Sequence, residues 1–210
     1  MAERDELFTT VGKEGYVEFE EKRSLFIGHA IRTDSEAEAL EYIKQLKKQY
    51  QDATHNVFGY MMRGDAVARY SDDGEPQGTA GMPVLEAIRK SGADDTLVVV
   101  TRYFGGILLG AGGLVRAYAH TAHLAIEEAG IVTYESYAEL ELACSYSDYQ
   151  KYQAQLPRFG AVMDDTDFSD RVILRFAVKK HLVDDVRALV REISAGGNEV
   201  KVLGERFDYR

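Results

Sequence analysis

The order of apolar and polar positions divides this 210-residue chain into two successive runs of elements. Tyr16 to Lys22 and Leu25 to Ile31 both alternate, with Val17 and Phe19 on one face of the first segment and Leu25, Ile27 and Ile31 on one face of the second. Alternation on both sides of a short break predicts a β-hairpin or the start of a meander. Thr33-Asp34-Ser35-Glu36 offers a capping box, and Ala37, Leu40, Ile43, Leu46 and Tyr50 recur at helical spacing, so a helix is expected over residues 34–51. Residues 56–62 and 66–70 read as strands joined by a turn at Arg63-Gly64-Asp65. A helix follows over 83–91, with Pro83 in its first turn and Thr79 as candidate cap. An apolar strand over 96–103 and a helix over 113–129 complete the first run.

After Gly130 the pattern restarts. Ala138 to Cys144 alternates, with Leu140, Leu142 and Cys144 inward and Glu139 and Glu141 outward. Residues 147–157 read as a helix behind a Ser147-Asp148 start, and 160–167 with 171–179 as a hairpin. Val183, Val186, Leu189, Val190 and Ile193 mark a helix from Leu182 to Ser194, ended by Gly196-Gly197, and a last strand runs over 199–207. The order βαββαβ is that of a ferredoxin-like unit. The fold class is therefore α+β, with domains at 1–134 and 135–210 and a boundary in the segment from Gly130 to Ser136.

Composition narrows the function classes. The lone Cys144 excludes an internal disulfide and a multi-cysteine zinc site, and points to a reducing compartment. The polar opening MAERDELFTT carries no secretory signal, and no apolar run is long enough to span a membrane, so a soluble, cytoplasmic protein is expected. Net charge is −10; residues 1–134 hold 14 Lys+Arg against 21 Asp+Glu, and the remainder 11 against 14. Neither half is basic, which argues against indiscriminate nucleic-acid binding and confines any RNA contact to a local groove.

The densest chemistry lies between Tyr70 and Thr121. Glycines at 105, 106, 110, 112 and 113 stand between the apolar strand and the following helix, where backbone N–H groups can gather around an anion. Known nucleotide motifs fail here. Gly105 to Gly110 has P-loop spacing, but Ala111 and Gly112 replace the Lys and Ser/Thr. The dinucleotide pattern fails at Val115. There is no HExxH, and an inward Cys144 is inert by default.

The run Tyr70-Ser71-Asp72-Asp73-Gly74-Glu75-Pro76, then Gly78-Thr79-Ala80-Gly81-Met82-Pro83, Val100-Thr101-Arg102-Tyr103-Phe104-Gly105-Gly106, Leu109-Gly110 and Gly113-Leu114-Val115-Arg116-Ala117-Tyr118 closely resembles the bacterial YigZ/IMPACT family. The resemblance covers the whole chain. It implies an N-terminal fold shared with domain four of elongation factor G and with GHMP kinases, and a ferredoxin-like C-terminal domain similar to domain five of that factor. Eukaryotic relatives carry an extra N-terminal domain for a translational-control partner. This sequence begins a few residues before its first strand, so that domain is expected to be missing, and the family's restraint of a starvation-responsive kinase is not expected to carry over.

Each candidate residue has two readings. The loop from Tyr103 to Gly113 can cradle a phosphate, with Arg102 and Arg116 supplying charge-assisted bonds, or its glycines merely permit a sharp strand-to-helix crossover. On the first reading the loop borders the main depression of the N-terminal domain, and Arg102 or Arg116 points into it. Asp72, Asp73 and Glu75 can hold magnesium or move protons, or simply form a good turn. Arg116, His120, His123 and Glu127 share one helix stripe, lining a groove or facing solvent; two histidines without a third ligand make no zinc site. Arg171, Arg175 and Lys179 line one face of a C-terminal strand, where the neighbouring aspartates favour a solvated face over an RNA contact.

The parts present suit holding phosphate and do not form a legible nucleophile–base pair. The leading expectation is a non-enzymatic, translation-linked binding protein taking RNA, the ribosome or a nucleotide through the glycine loop, without cofactor. The alternatives are a small-molecule enzyme acting on a phosphorylated substrate, and a translation regulator that works through a protein partner.

Overall fold

The computed structural model describes residues 7–63 and 67–209. Strand β1 (Leu7–Val11) was not foreseen: five residues with two central threonines carry little alternation. The predicted hairpin is β2 (Gly15–Glu21) and β3 (Ser24–Arg32), paired from Gly15 opposite Ala30 to Glu21 opposite Ser24. Helix α1 (Glu36–Gln49) starts two residues later than its expected box. Ser35 Oγ accepts from the Glu38 N–H at 3.2 Å, and the Glu38 carboxylate accepts from the Asp34 N–H at 2.8 Å, so the reciprocal cap uses Ser35 and Glu38. The buried stripe shifts accordingly to Ala39, Ile43 and Leu46, leaving Leu40 exposed.

Strands β4 (His55–Met61) and β5 (Ala68–Ser71) follow; the turn foreseen at Gly64-Asp65 and the strand start at Ala66 lie outside the described residues. Then come α2 (Gly81–Ser91), β6 (Thr96–Tyr103) and α3 (Ala111–Ala129). The sheet order is β2-β3-β6-β4-β5, with every pairing antiparallel. β6 lies in the middle with both faces covered, which is why its sequence runs apolar without alternation. Val98 and Val100 join Val84, Ile88, Tyr118 and Ala122 of α2 and α3 in one core, while Leu97 and Val99 join Ile43 and Leu46 of α1 in another.

β7 (Ile131–Cys144) begins directly after Gly130, where the sequence reading placed a boundary segment before a strand at 138. The residues 131–136 alternate too weakly to be read as strand alone, but their backbone is paired: β1 is a hydrogen-bonded neighbour of β7 and β10 reaches Glu135. Contacts divide the chain into one unit from Phe8 to Thr133 and a second containing residues 134–209 with Leu7.

The second unit continues with α4 (Tyr146–Gln155), β8 (Val162–Phe168), β9 (Val172–Lys179), α5 (Val183–Ile193) and β10 (Val200–Asp208). The order β10-β7-β9-β8 is the ferredoxin-like arrangement. Leu140, Leu142, Cys144, Leu174, Phe176 and Val178 pack against Tyr152, Leu156, Val186 and Val190. Cys144 is buried in that core, and burial pushes its thiol pKa up, so it is a packing residue.

One buried base of the first unit makes stability depend on pH. His29 has its Nε2 3.2 Å from the Tyr50 hydroxyl, its Nδ1 3.5 Å from a Glu14 carboxylate oxygen, and the Tyr16 ring edge-on at 5.2 Å. Burial lowers the His29 pKa, against the opposite pull of Glu14. The unfolded chain therefore takes up a proton near its ordinary pKa of 6.5 that the folded chain refuses. The stabilisation is complete above that value and is lost as pH falls below it. Urea midpoints of the wild type should drop faster than those of His29→Gln below about pH 6.5; identical slopes would show that His29 is not the responsible group.

Candidate functional site

The acidic turn is built into the fold by its own hydrogen bonds. Asp72 accepts from the N–H groups of Gly78 (2.8 Å), Ala80 (3.1 Å) and Gly81 (2.8 Å), so it caps α2 from outside the helix. Thr79, the expected cap, instead donates its hydroxyl to the Pro76 carbonyl at 2.6 Å. A side chain nine residues before the first residue of the helix does the capping because the loop folds back over it. Asp73 pairs with Lys47 at 2.6 Å and accepts from the Asn56 N–H at 2.6 Å, while its own carbonyl lies 2.8 Å from His55 Nδ1.

Glu75 is buried between β6 and α3. One of its oxygens accepts from Arg102 at 2.6 Å and from the Tyr118 hydroxyl at 2.7 Å, with His55 Nε2 at 3.8 Å. Burial, and then the Glu75 carboxylate, push the Tyr118 pKa far above its ordinary value, so Tyr118 stays a donor. The three carboxylates thus face N–H and O–H donors in separate directions. Among the described residues, no group of three or more His, Cys, Asp and Glu side chains comes together in a way that could hold a metal ion.

Arg102 departs most from its expected placement. It is 5% exposed, bonded to Glu75 and, at 3.3 Å, to Ser24 Oγ. Its alternation in β6 pairs it opposite Phe26 and His55, on the face covered by α2 and α3. It therefore points into the protein and not into a surface depression. Its guanidinium lies 5.4 Å from the centre of the Phe104 ring and 5.5 Å from that of Phe26, so it supports the loop from beneath. Tyr103 also turns away, donating its hydroxyl to Asp52 at 2.9 Å.

The glycines divide by physical cause. A Cβ on Gly105 would lie 2.0 Å from the carbonyl carbon and oxygen of Arg23, so glycine is required for the loop to press on the β2–β3 hairpin. Gly110, at φ 73°, turns the chain into α3 without a side-chain cap. Gly112 and Gly113 lie in the first helical turn, and Gly106 has φ 83°.

Beside this loop lies a depression of about 540 Å³ lined by Phe19, Glu21, Lys22, Leu109, Gly113, Arg116 and His120. The exposed Arg116 has Nη1 3.9 Å from where a Gly112 Cβ would stand, so its guanidinium folds back over the start of α3. His120 packs edge-on against Phe19 at 4.8 Å. Lys22 and Arg23 form the hairpin tip, at φ 48° and 64°. A two-residue turn with both φ positive normally uses Asn-Gly, so two basic residues hold this tip against their backbone preference. Lys22 is not singled out in the sequence, where it reads as the end of the first alternating segment.

A second, larger groove of about 850 Å³ runs between α2 and α3, with Met82, Pro83, Ala87, Val115 and Ala119 among its walls. The glycine loop does not line it, contrary to the expectation that the loop borders the main depression. The stripe Arg116, His120, His123 and Glu127 divides its roles: Arg116 faces the smaller depression, His120 lines both, and His123 and Glu127 form an exposed pair at 3.3 Å on the larger groove. In the second unit, Arg175 bonds Glu141 and Asp165, and Lys179 pairs with Glu135, giving a charge-paired sheet face.

The comparisons agree with this architecture. Residues 22–126 match the Impact N-terminal domain, and 142–196 match a domain of unknown function, DUF1949. The IMPACT family member YvyE of Bacillus subtilis is 34% identical over 195 residues, covering 92% of this chain and 90% of that protein. The IMPACT family member YigZ of Escherichia coli is 31% identical over 187 residues, covering 88% and 92%. A solved structure titled as a hypothetical protein superposes with TM-score 0.60 at 29% identity, covering 93% of this chain and 96% of the other. The chain belongs to the IMPACT family, and it carries both the Impact N-terminal domain and the smaller ferredoxin-like domain. Among the described residues, no helix is long and apolar enough to cross a membrane.

Proposed function

We propose that this protein is a cytoplasmic, translation-linked binding protein that holds the phosphates of an RNA ligand in the depression between the β2–β3 hairpin and α3. The observation that carries the reading is the convergence of Lys22 and Arg116, neither bonded to a carboxylate among the described residues, on one depression of a chain whose net charge is −10. In an acidic protein, most cations are neutralised by neighbours, as Lys47, Arg63, Arg102, Arg175 and Arg206 are. Two that have no carboxylate partner among the described residues, in one concavity that Glu21 also lines, make a local positive site. Membership of the IMPACT family supports the link to translation, through the resemblance to domain four of an elongation factor. The separate domains, divided near residue 134, leave this site wholly on the N-terminal one.

Affinity from so few phosphate contacts is expected to be modest and to weaken with salt. Lys22→Ala and Arg116→Ala should each weaken RNA association roughly uniformly across sequences and reduce the salt slope by about 1. Both positions are exposed, so melting should barely change. Filter binding of total RNA and of ribosomes at several salt concentrations checks this. Wild-type protein with no salt-sensitive association with either would refute the reading, and turnover of a phosphorylated small molecule, lost in Asp72→Asn, would favour an enzyme instead.

A further inference from the structure

The loop that adjoins the basic depression carries an apolar tip that the packing leaves uncovered. Phe104 is 46% exposed, Ile107 42% and Leu108 81%, while their neighbour Leu109 is buried in the core. Burying Leu109 anchors the loop, and Gly105, pressed on the Arg23 backbone, holds the tip beside the hairpin that bears Lys22 and Arg23. Arg102 supports the Phe104 ring from within. The tip thus adjoins the hairpin turn that bears Lys22 and Arg23, and Leu109, which follows it directly, lines the depression with Lys22, Arg116 and Glu21; Asp52, bonded by Tyr103, is a further carboxylate nearby.

We propose that the ligand of this face is single-stranded RNA, with unpaired bases seated on Phe104, Ile107 and Leu108 while the adjoining cations hold the phosphates. The inference rests on the RNA reading above and narrows it. Charge complementarity selects a polyanion. Phosphate alone offers nothing to three apolar side chains, and a duplex turns its base faces inward, away from any protein surface. Only a strand with unstacked bases presents apolar faces and phosphates within the same few ångströms. Stacking on an aromatic ring is indifferent to base identity, so little sequence preference is expected.

The test uses the full chain, a labelled 12-nucleotide RNA strand of mixed sequence, and the same strand annealed to its complement, read by fluorescence anisotropy at low salt. The strand should bind about tenfold or more tighter than the duplex. Leu108→Ser and Phe104→Ser should each weaken strand binding by about five- to tenfold while leaving duplex binding unchanged, on the scale of one lost base contact. Leu108 is almost wholly exposed, so its replacement cannot act through folding, and an unchanged melt verifies this. Equal affinity for strand and duplex, or strand binding untouched by Leu108→Ser, overturns the role of the tip while leaving the basic depression standing. Salt-sensitive binding of neither RNA overturns the RNA reading itself. Self-association lost in Leu108→Ser, seen by sedimentation, would assign the tip to a second copy and overturn the proposal.

Discussion

Arg102→Ala is expected to destabilise the N-terminal unit by about 3–5 kcal/mol, the scale for removing one partner of a buried ion pair. Its guanidinium neutralises Glu75, which is 8% exposed and, among the described residues, keeps only the Tyr118 hydroxyl as a close donor once Arg102 is gone. The loss also removes support from Ser24, Phe26 and Phe104. Most of the cost is the stranded carboxylate, so pairing Arg102→Met with Glu75→Gln should recover a large part of it. Urea unfolding of the two single variants and the double variant measures this coupling. An Arg102→Ala variant within 1 kcal/mol of wild type, on the order of an exposed pair, would mean that the arginine is free, as a ligand-binding role requires.

Gly105→Ala should cost about 1–3 kcal/mol through overpacking and should detach the loop from the hairpin. The added Cβ would meet Arg23 backbone atoms at 2.0 Å and the Ser24 nitrogen at 2.5 Å, and backbone cannot swing aside as a side chain can. The bond from the Gly105 N–H to Ser24 Oγ would go with it. Gly112→Ala is the control. Its nearest neighbour would be the tip of Arg116 at 3.9 Å, and alanine suits a helical turn, so stability should hold or rise by up to about 1 kcal/mol. Hydrogen exchange over residues 103–110 separates the two: faster exchange in Gly105→Ala only. Equal behaviour would mean that the loop's position does not depend on this contact.

Both results concern what the glycine cluster is for, and that question was open in the sequence. The cluster marks a place where the chain must turn sharply, since glycine adopts such φ values without the strain of a side chain and alone permits such close backbone approach. It does not say whether the space made room for a ligand or for another part of the chain. For Gly105 the neighbour is the Arg23 backbone, a partner more than eighty residues away that no local pattern could name. The same limit governs the acidic turn. Asp-Asp-Gly-Glu-Pro was legible as a turn, but the donors that fill Asp72, Asp73 and Glu75 come from α1, α2, β4, β6 and α3.

Periodicity by itself determined the helices, the hairpins, the ferredoxin-like order and the buried side of β7, because burying one face of a strand or helix constrains residues two or three to four apart along the chain. The long motif run likewise sufficed to mark the family. Helix starts came out a residue or two off, as at α1, because several hydroxyls and carboxylates compete to cap a helix and local geometry picks one. Only the tertiary structure decided which arginine is free. Arg102 and Arg116 are both cations flanking one loop, but a strand with both faces covered turns Arg102 inward onto Glu75, while the outer stripe of α3 leaves Arg116 in solvent. Charge is written in the sequence; whether it is neutralised depends on neighbours that folding brings from elsewhere in the chain.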